Sequence, residues 1–375
     1  MNTDLSKVKT IVVKIGTSLL TGPSGFDGQV LEEIVKELCQ LKRERQLNIL
    51  VVSSGAIGCG MTALGLKERP KLLPLKQATA AVGQANLMHY YETLFRTYGG
   101  GLRSAQVLLS ASDLDSRETY LNIRNTLHAL FTLKNVIPIV NENDSVAIEE
   151  LKFGDNDTLA ARVSAKISAD LLIILSNVDG LFDADPRRNR EARLIREVKA
   201  ITPELEALAG DTEEQTSVGG MVTKLTAARI ACAAQVRTVI ANGRRPNILH
   251  DTLSGQGVGT TFFSSRGALS HRKRWIAFGR SSRGVICIDD GARNALQRQG
   301  RSLLAAGVTK VDGKFRMGDS VRITDAQEND IARGLVNYSS EDIDRIKGCK
   351  SSQIQAILGR KDFDEVVHRN NMVVL

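Results

Sequence analysis

Thr10-Ile11-Val12-Val13-Lys14-Ile15-Gly16, residues 10–16, is a short apolar run interrupted by one lysine and closed by a glycine. It is too short for a helix and rich in β-branched residues, so Thr10–Ile15 reads as a buried strand. Lys14 is the anomaly. A lysine buried without a partner is costly. At the C-terminal end of a strand it can instead face a ligand, at the edge where open α/β sheets place their sites. Gly16 lets the backbone turn tightly there and come close to a phosphate. The bland alternative is a lysine reaching solvent from a strand end, and the run alone does not choose between the two.

Outward from this strand, short apolar runs alternate with helical spacing. Helices are expected over Val30–Arg43, Leu75–Tyr98, Arg117–Leu133, Asn156–Ser168 and Met221–Ala234. Strands are expected over Asn48–Val52, Ala105–Leu109, Val136–Val140, Asp170–Leu175 and Arg237–Ala241. This order means βαβ units and an α/β fold: a mostly parallel sheet sandwiched by helices. The rhythm ends near Phe263. Beyond Arg272 the runs are short and β-like (Val285–Ile288, Gly307–Val311, Asp319–Ile323, Ile331–Val336), separated by turn residues such as Asp312-Gly313. That pattern suggests a small C-terminal β-barrel. The division expected is residues 1–265, a linker at 266–274, and a second domain at 275–375.

Bulk composition narrows the class. The 375 residues are 42% hydrophobic, 25% charged and 4% aromatic, the profile of a globular protein with two cores rather than a surface built to stack bases. Residues 270–375 carry 19 Lys and Arg against 13 Asp and Glu, which puts most of the formal +8 charge in the C-terminal third. The five cysteines are scattered and form no CxxC pair, which argues against a disulfide framework or zinc site. No apolar run approaches the roughly 18 residues of a membrane span, and the N-terminal run is cut by Lys14, unlike a signal peptide. A cytoplasmic protein is expected.

Four further segments could carry chemistry. Ser53-Ser54-Gly55-Ala56-Ile57-Gly58-Cys59-Gly60 follows a strand, and small residues there leave room for a ligand; the alternative is a tight strand-to-helix connection. Asn141-Glu142-Asn143-Asp144 ends another strand and could meet an ammonium or carboxylate, or form a solvated turn. Gly154-Asp155-Asn156-Asp157-Thr158 opens a helix with more Asx residues than a cap needs. Gly219-Gly220-Met221-Val222-Thr223-Lys224 opens another and sets a lysine at the end of a helix that favours anions. It is not a Walker A loop. Two lysines and helix N-termini together suit phosphoryl transfer.

The segments VVKIGTS (12–18), SSGAIG (53–58), IPIVNENDSVA (137–147), FGDNDTLAA (153–161) and GGMVTKLTAA (219–228) resemble the glutamate 5-kinases, a branch of the amino acid kinase family. From about Arg274 to Ile357-Leu358-Gly359 the chain resembles a PUA domain. The resemblance implies ATP-dependent phosphorylation of the L-glutamate side-chain carboxylate, the first step of proline biosynthesis, with Mg²⁺ carried by the nucleotide. It implies that Lys14 and Lys224 neutralise the transferring phosphoryl group while Asp157 orients them. It further implies that Ser54, Asp144 and Asn156 bind glutamate, and that Lys14, Ser176, Asn177, Val218, Gly219, Gly220, Met221, Val222, Thr223 and Lys224 line the ATP site. Feedback inhibition by proline and a homodimer or homotetramer are implied as well. The chain departs from the family pattern at Ser176-Asn177, often Thr-Asp, and at Ser217-Val218, often Gly-Thr; Asn177 removes a charge and Val218 a hydroxyl. Two other readings stay open: a related kinase acting on aspartate, acetylglutamate or another small acid, and RNA binding by the basic C-terminal part, against which the few aromatics weigh.

Overall fold

The structure, a computed structural model, describes residues 5, 7–22, 25–110, 113–114, 117–146, 156–186, 189, 191–210, 220–264 and 282–375. The chain divides into two compact units, Met1–Gly267 and Ala268–Leu375. The expected linker at 266–274 lies outside the described residues.

In the first unit the elements run β1 (Thr10–Ile15), α1 (Thr17–Leu20), β2 (Thr21–Gly22), β3 (Gly25–Phe26), α2 (Gly28–Arg45), β4 (Asn48–Ser53), α3 (Ala56–Leu64) and α4 (Leu73–Tyr98). Then follow β5 (Arg103–Leu109), α5 (Arg117–Thr132), β6 (Val136–Glu142), α6 (Asn156–Ile167), β7 (Leu171–Ser176) and β8 (Glu197–Val198). The last are α7 (Pro203–Gly210), α8 (Met221–Ala233), β9 (Arg237–Asn242), α9 (Ile248–Leu253) and β10 (Thr260–Phe262). Eight strands form one sheet in the order β5-β6-β4-β1-β7-β9-β10-β8, parallel except where β10 runs against β9. Every residue of β7 is buried, as a strand covered on both faces requires. The core includes Ile11, Val13 and Ile15 of β1 with Leu31, Ile34 and Leu38 of α2. Asp27 caps α2 by accepting from Gln29 N, and Lys42, Arg43 and Arg45 sit in its last turn, where the helix dipole favours cations. The buried Glu37 carboxylate accepts from Ile248, Leu249 and His250 N at the head of α9, while burial raises its pKa.

The second unit holds a five-stranded sheet in the order β12-β11-β13-β14-β15: β11 (Val285–Ile288), β12 (Val308–Asp312), β13 (Ser320–Thr324), β14 (Asp330–Leu335) and β15 (Met372–Val374). Its core includes Ile286, Leu296, Val321, Ile343 and Val367. The β-like reading of this region missed α10 (Asp290–Gln299), α11 (Ser340–Ile346) and α12 (Ile354–Leu358). The reason is visible in α10. It buries Leu296 alone, so it has no apolar stripe to read; it is delimited by Asp289, which accepts from Ala292 N, and by Gly300 in the left-handed region.

The glycine-rich segment after β4 is the tight strand-to-helix connection, one of its two readings. The loop is only Ser54-Gly55, and Gly58 and Gly60 lie inside α3. A Cβ on Gly60 would sit 1.9 Å from Thr79 O, and one on Gly83 would sit 1.7 Å from Ala56 O. These glycines let the backbones of α3 and α4 touch. A Cβ on Gly58 would meet Thr21 Oγ1 at an ordinary 3.4 Å. Gly83→Ala is therefore expected to destabilise the fold by more than about 2 kcal/mol, whereas Gly58→Ala should be neutral or stabilising by up to about 1 kcal/mol. Urea unfolding of the two variants checks this, and equal midpoints would contradict the close approach.

Candidate active site

The site forms where the ends of three neighbouring strands meet. Ile15 of β1 pairs with Ser53 of β4 on one side and with Leu175 of β7 on the other. Gly16, Ser54 and Ser176 therefore emerge together at the C-terminal edge of the sheet, the edge where such folds bind ligands. Gly16 N donates to Leu175 O at 3.2 Å, and Ser54 N to Ile15 O at 3.1 Å. A Cβ on Gly16 would stand 3.2 Å from Leu175 O and 3.5 Å from Lys14 Nζ, so glycine keeps clear the space beside the ammonium group.

Asp157, in the first turn of α6, is fully buried at the centre of a charged cluster. Lys14 Nζ lies 2.5 Å from Asp157 Oδ1, and Lys224 Nζ, from the first turn of α8, lies 3.3 Å from Oδ2. Both lysines are about 95% buried. The Thr223 hydroxyl lies 2.8 Å from Gly220 O and 3.3 Å from Asp157 Oδ2, and shares its hydrogen between them. Two ammonium groups thus flank one carboxylate. Gly220, the residue before α8, has no side-chain cap on the helix's first N–H groups, which leaves a positive helix end beside the lysines. A cluster of this kind is suited to an anion with several oxygens.

A second, neutral cluster adjoins the same strand ends. Asn156, one residue before Asp157, turns its Nδ2 toward Asn141 Oδ1 at 2.8 Å, Ser53 O at 3.0 Å and Ser54 Oγ at 3.0 Å. Asn141 Oδ1 also accepts from Glu142 N at 2.9 Å, and Asn141 Nδ2 donates to Gln84 Oε1 of α4 at 2.8 Å. Beneath these, the buried Tyr91 hydroxyl donates to Ser53 Oγ at 2.8 Å, and Ser53 Oγ donates to Ser54 O at 2.9 Å. Burial raises the Tyr91 pKa well above its ordinary value and pushes the Cys59 thiol up to about 12, so both stay neutral under the site.

The structure thus brings together Lys14, Asp157, Thr223 and Lys224 in one cluster and Ser54, Asn141 and Asn156 in the other. Ser176 is buried at the end of β7, where its hydroxyl donates to Asn177 Oδ1 at 3.4 Å; Asn177 is exposed. Gly220, Met221 and Thr223 are half-buried, and Val222 is exposed. Asp144 is half-buried in the turn after β6. Val218 and Gly219 lie outside the described residues. Gln84 and Gln106 escaped the sequence reading, since a polar residue within a long helix or on an edge strand reads as part of a solvated face. Among the described residues no group of three or more His, Cys, Asp or Glu could hold a metal ion, and no helix is long and apolar enough to cross a membrane.

Comparison with known proteins follows the same lines. A family model described as the amino acid kinase family matches residues 9–242, and one described as the PUA domain matches residues 284–358. A glutamate 5-kinase of Caldanaerobacter subterraneus subsp. tengcongensis is 47% identical over 366 residues, 97% of each chain. One of Dehalococcoides mccartyi is 48% identical over 371 residues, 98% of each chain. One of Moorella thermoacetica is 48% identical over 373 residues, 99% of this chain and 97% of its own.

Removing the carboxylate should leave Lys14 and Lys224 buried against each other. Asp157→Ala is expected to cost about 3–5 kcal/mol of stability, the scale of breaking a buried ion pair from one side. Urea unfolding with an unchanged m-value measures it; a loss below about 1 kcal/mol would contradict the central place given to Asp157.

Proposed function

The chain belongs to the amino acid kinase family and, within it, to the glutamate 5-kinases, and from that premise we propose how its residues divide the work of moving the γ-phosphoryl group of ATP to the side-chain carboxylate of L-glutamate. The observation that carries the proposal is the pair of buried lysines held on one buried carboxylate at the sheet edge. Glutamate's side chain has a free pKa near ~4.3 and is ionised at neutral pH, so no base has to take a proton from it. The obstacle is repulsion between that carboxylate and the γ-phosphate. Lys14 and Lys224 oppose it by neutralising the phosphoryl oxygens as charge redistributes, and Asp157 holds both ammonium groups in place. A carboxylate oxygen of glutamate forms the new O–P bond. The bond from the γ-phosphorus to the bridging oxygen breaks, its electron pair leaves with ADP, and the product is the acyl phosphate L-glutamyl 5-phosphate.

Ser54, Asp144 and Asn156 are assigned to glutamate. Ser176, Asn177 and residues 218–224 are assigned to the nucleotide, where backbone groups can hold ATP despite the departures at Asn177 and Val218. Mg²⁺, entering on the ATP phosphates, supplies further charge neutralisation there. The kinase chemistry is placed in residues 1–265, with 275–375 as the PUA-like domain. The reaction opens proline biosynthesis, which suits a cytoplasmic enzyme assembled as a homodimer or homotetramer and inhibited by proline.

Purified protein with ATP, Mg²⁺ and glutamate is expected to release ADP and, with hydroxylamine present, to yield the hydroxamate of the trapped acyl phosphate. Aspartate and acetylglutamate in place of glutamate should give little turnover, and added proline should lower the rate. Lys14→Ala and Lys224→Ala should each reduce kcat by about a hundred- to a thousandfold, the scale of losing one charge-stabilising group. Glutamate-independent ADP release, or near-normal rates in both lysine variants, would overturn the assignment.

A further inference from the structure

We propose that Gln84, in the middle of α4, is a positioning residue for the glutamate site: by accepting from Asn141 Nδ2 it holds Asn141 in place, and through Asn141 it steadies Asn156 as it presents its carboxamide oxygen. The proposal rests on the reading above that Asn156 holds glutamate.

A carboxamide can be turned over, exchanging donor for acceptor, so something must fix its direction. Here the fixed point is a backbone N–H. Glu142 N donates to Asn141 Oδ1 at 2.9 Å, and a backbone amide cannot become an acceptor. That bond sets which end of the buried Asn141 amide is oxygen. Asn156 Nδ2 donates to the same oxygen at 2.8 Å, so Asn141 Nδ2 must point the other way, where Gln84 Oε1 accepts it at 2.8 Å. Gln84 Nε2 in turn donates to Gln106 Oε1 at 3.3 Å. Gln106 is exposed and can reorient, whereas Gln84 is half-buried and Asn141 is 2% exposed.

The other end of the relay is at the substrate. Asn156 Nδ2 faces three acceptors, one of them the carbonyl Ser53 O, so its oxygen is turned away from them. Asn156 Oδ1 is buried and has no hydrogen-bond partner among the described residues. A buried acceptor without a partner is costly in the protein alone and becomes a strong point of recognition for an N–H donor. The α-ammonium group of an amino acid is such a donor. If Asn141 were turned over, its NH₂ would confront both Glu142 N–H and Asn156 NH₂, donor against donor. That clash sets the orientation, and Gln84 holds Asn141 in it by giving Nδ2 an acceptor.

The test compares Gln84→Leu, Gln84→Glu and Gln84→Lys with wild type and Asn156→Ala, reading KM for glutamate, KM for ATP, kcat and Tm. Gln84→Leu should raise KM for glutamate about tenfold, the order expected when a buried amide loses its partner, with KM for ATP and Tm close to wild type. Gln84→Glu keeps an acceptor toward Asn141 and should stay within about threefold of wild type. Gln84→Lys offers only donors and should be the worst of the three for glutamate. Charge alone predicts the reverse order, since a lysine attracts the anionic substrate and a glutamate repels it. If Gln84→Leu does not fold, the Glu–Lys pair decides by that order. A wild-type KM for glutamate in Gln84→Leu, equal effects of Glu and Lys, or a parallel rise in both KM values with a fall in Tm overturns the positioning role. If Asn156→Ala raises KM for glutamate while the Gln84 variants do not, only this inference fails. If Asn156→Ala leaves that KM unchanged in an active enzyme, the glutamate assignment fails and takes this inference with it.

Discussion

The rest of the first unit's site depends on the Asp157 carboxylate. Its two oxygens face lysines from opposite parts of the chain: Lys14 from the central strand and Lys224 from the first turn of α8. Neither lysine could be buried alone at tolerable cost. The same carboxylate that allows their burial also carries the charge most hostile to an incoming phosphate. On the proposed reading the arrangement suits a phosphate because two cations outweigh one anion, and because Thr223 and the head of α8 draw on the same carboxylate and the same space. On that reading, folding and chemistry share one interaction, and a residue whose evident task is structural also sets the field at the reacting centre.

The neutral half of the site is referenced to a single helix. Gly83 lets α3 and α4 meet backbone to backbone. The next residue, Gln84, reaches Asn141, and two turns later Tyr91 reaches Ser53. Since α3 begins directly after Ser54-Gly55, the close approach at Gly83 also locates the loop from which Ser54 accepts Asn156 Nδ2. Side chains that would touch a ligand are thus held by others that do not, and those are held by helix packing rather than by loops. A site of this build can be placed within a fraction of an ångström without relying on flexible segments.

Legibility in the sequence followed the physics of each element. The buried strands were readable because a strand covered on both faces must be continuously apolar: Thr10–Ile15 has the expected bounds, as has Val285–Ile288, where half-buried and buried residues alternate. The glycines after β4 were ambiguous, since a phosphate loop and a helix crossing ask for the same residue; only the distance from a Cβ on Gly60 to Thr79 O, 1.9 Å, separates them. In the second unit α10 is held by caps and a single buried side chain, a signal too local for periodicity to register. Lys14 stood out as a charge in an apolar run, yet nothing in its spacing pointed to Asp157. That link came from resemblance to a family, and the geometry supplies its physical content. Gln84 had no sequence signal at all, because its role depends on which way another residue's amide faces.

On the proposed reading, the division between a charged and a neutral cluster follows from the reaction. Glutamate arrives already ionised, so the site does not need to move a proton. What changes along the reaction is the charge on the phosphoryl oxygens, and that is where Lys14 and Lys224 stand. The α-amino end of glutamate does not change. Contacts there, from Asp144 or Asn156 alike, bind substrate and transition state equally, and uniform binding does not raise kcat. A carboxamide held in one direction recognises the ammonium group without adding charge. Asn156 is adjacent to Asp157 on the same helix turn, so one segment serves both ends of the substrate: the neutral residue for recognition, the charged one for the lysines. The relay through Asn141 and Gln84 keeps that neutral residue selective, since an amide free to turn over would present a donor as readily as an acceptor.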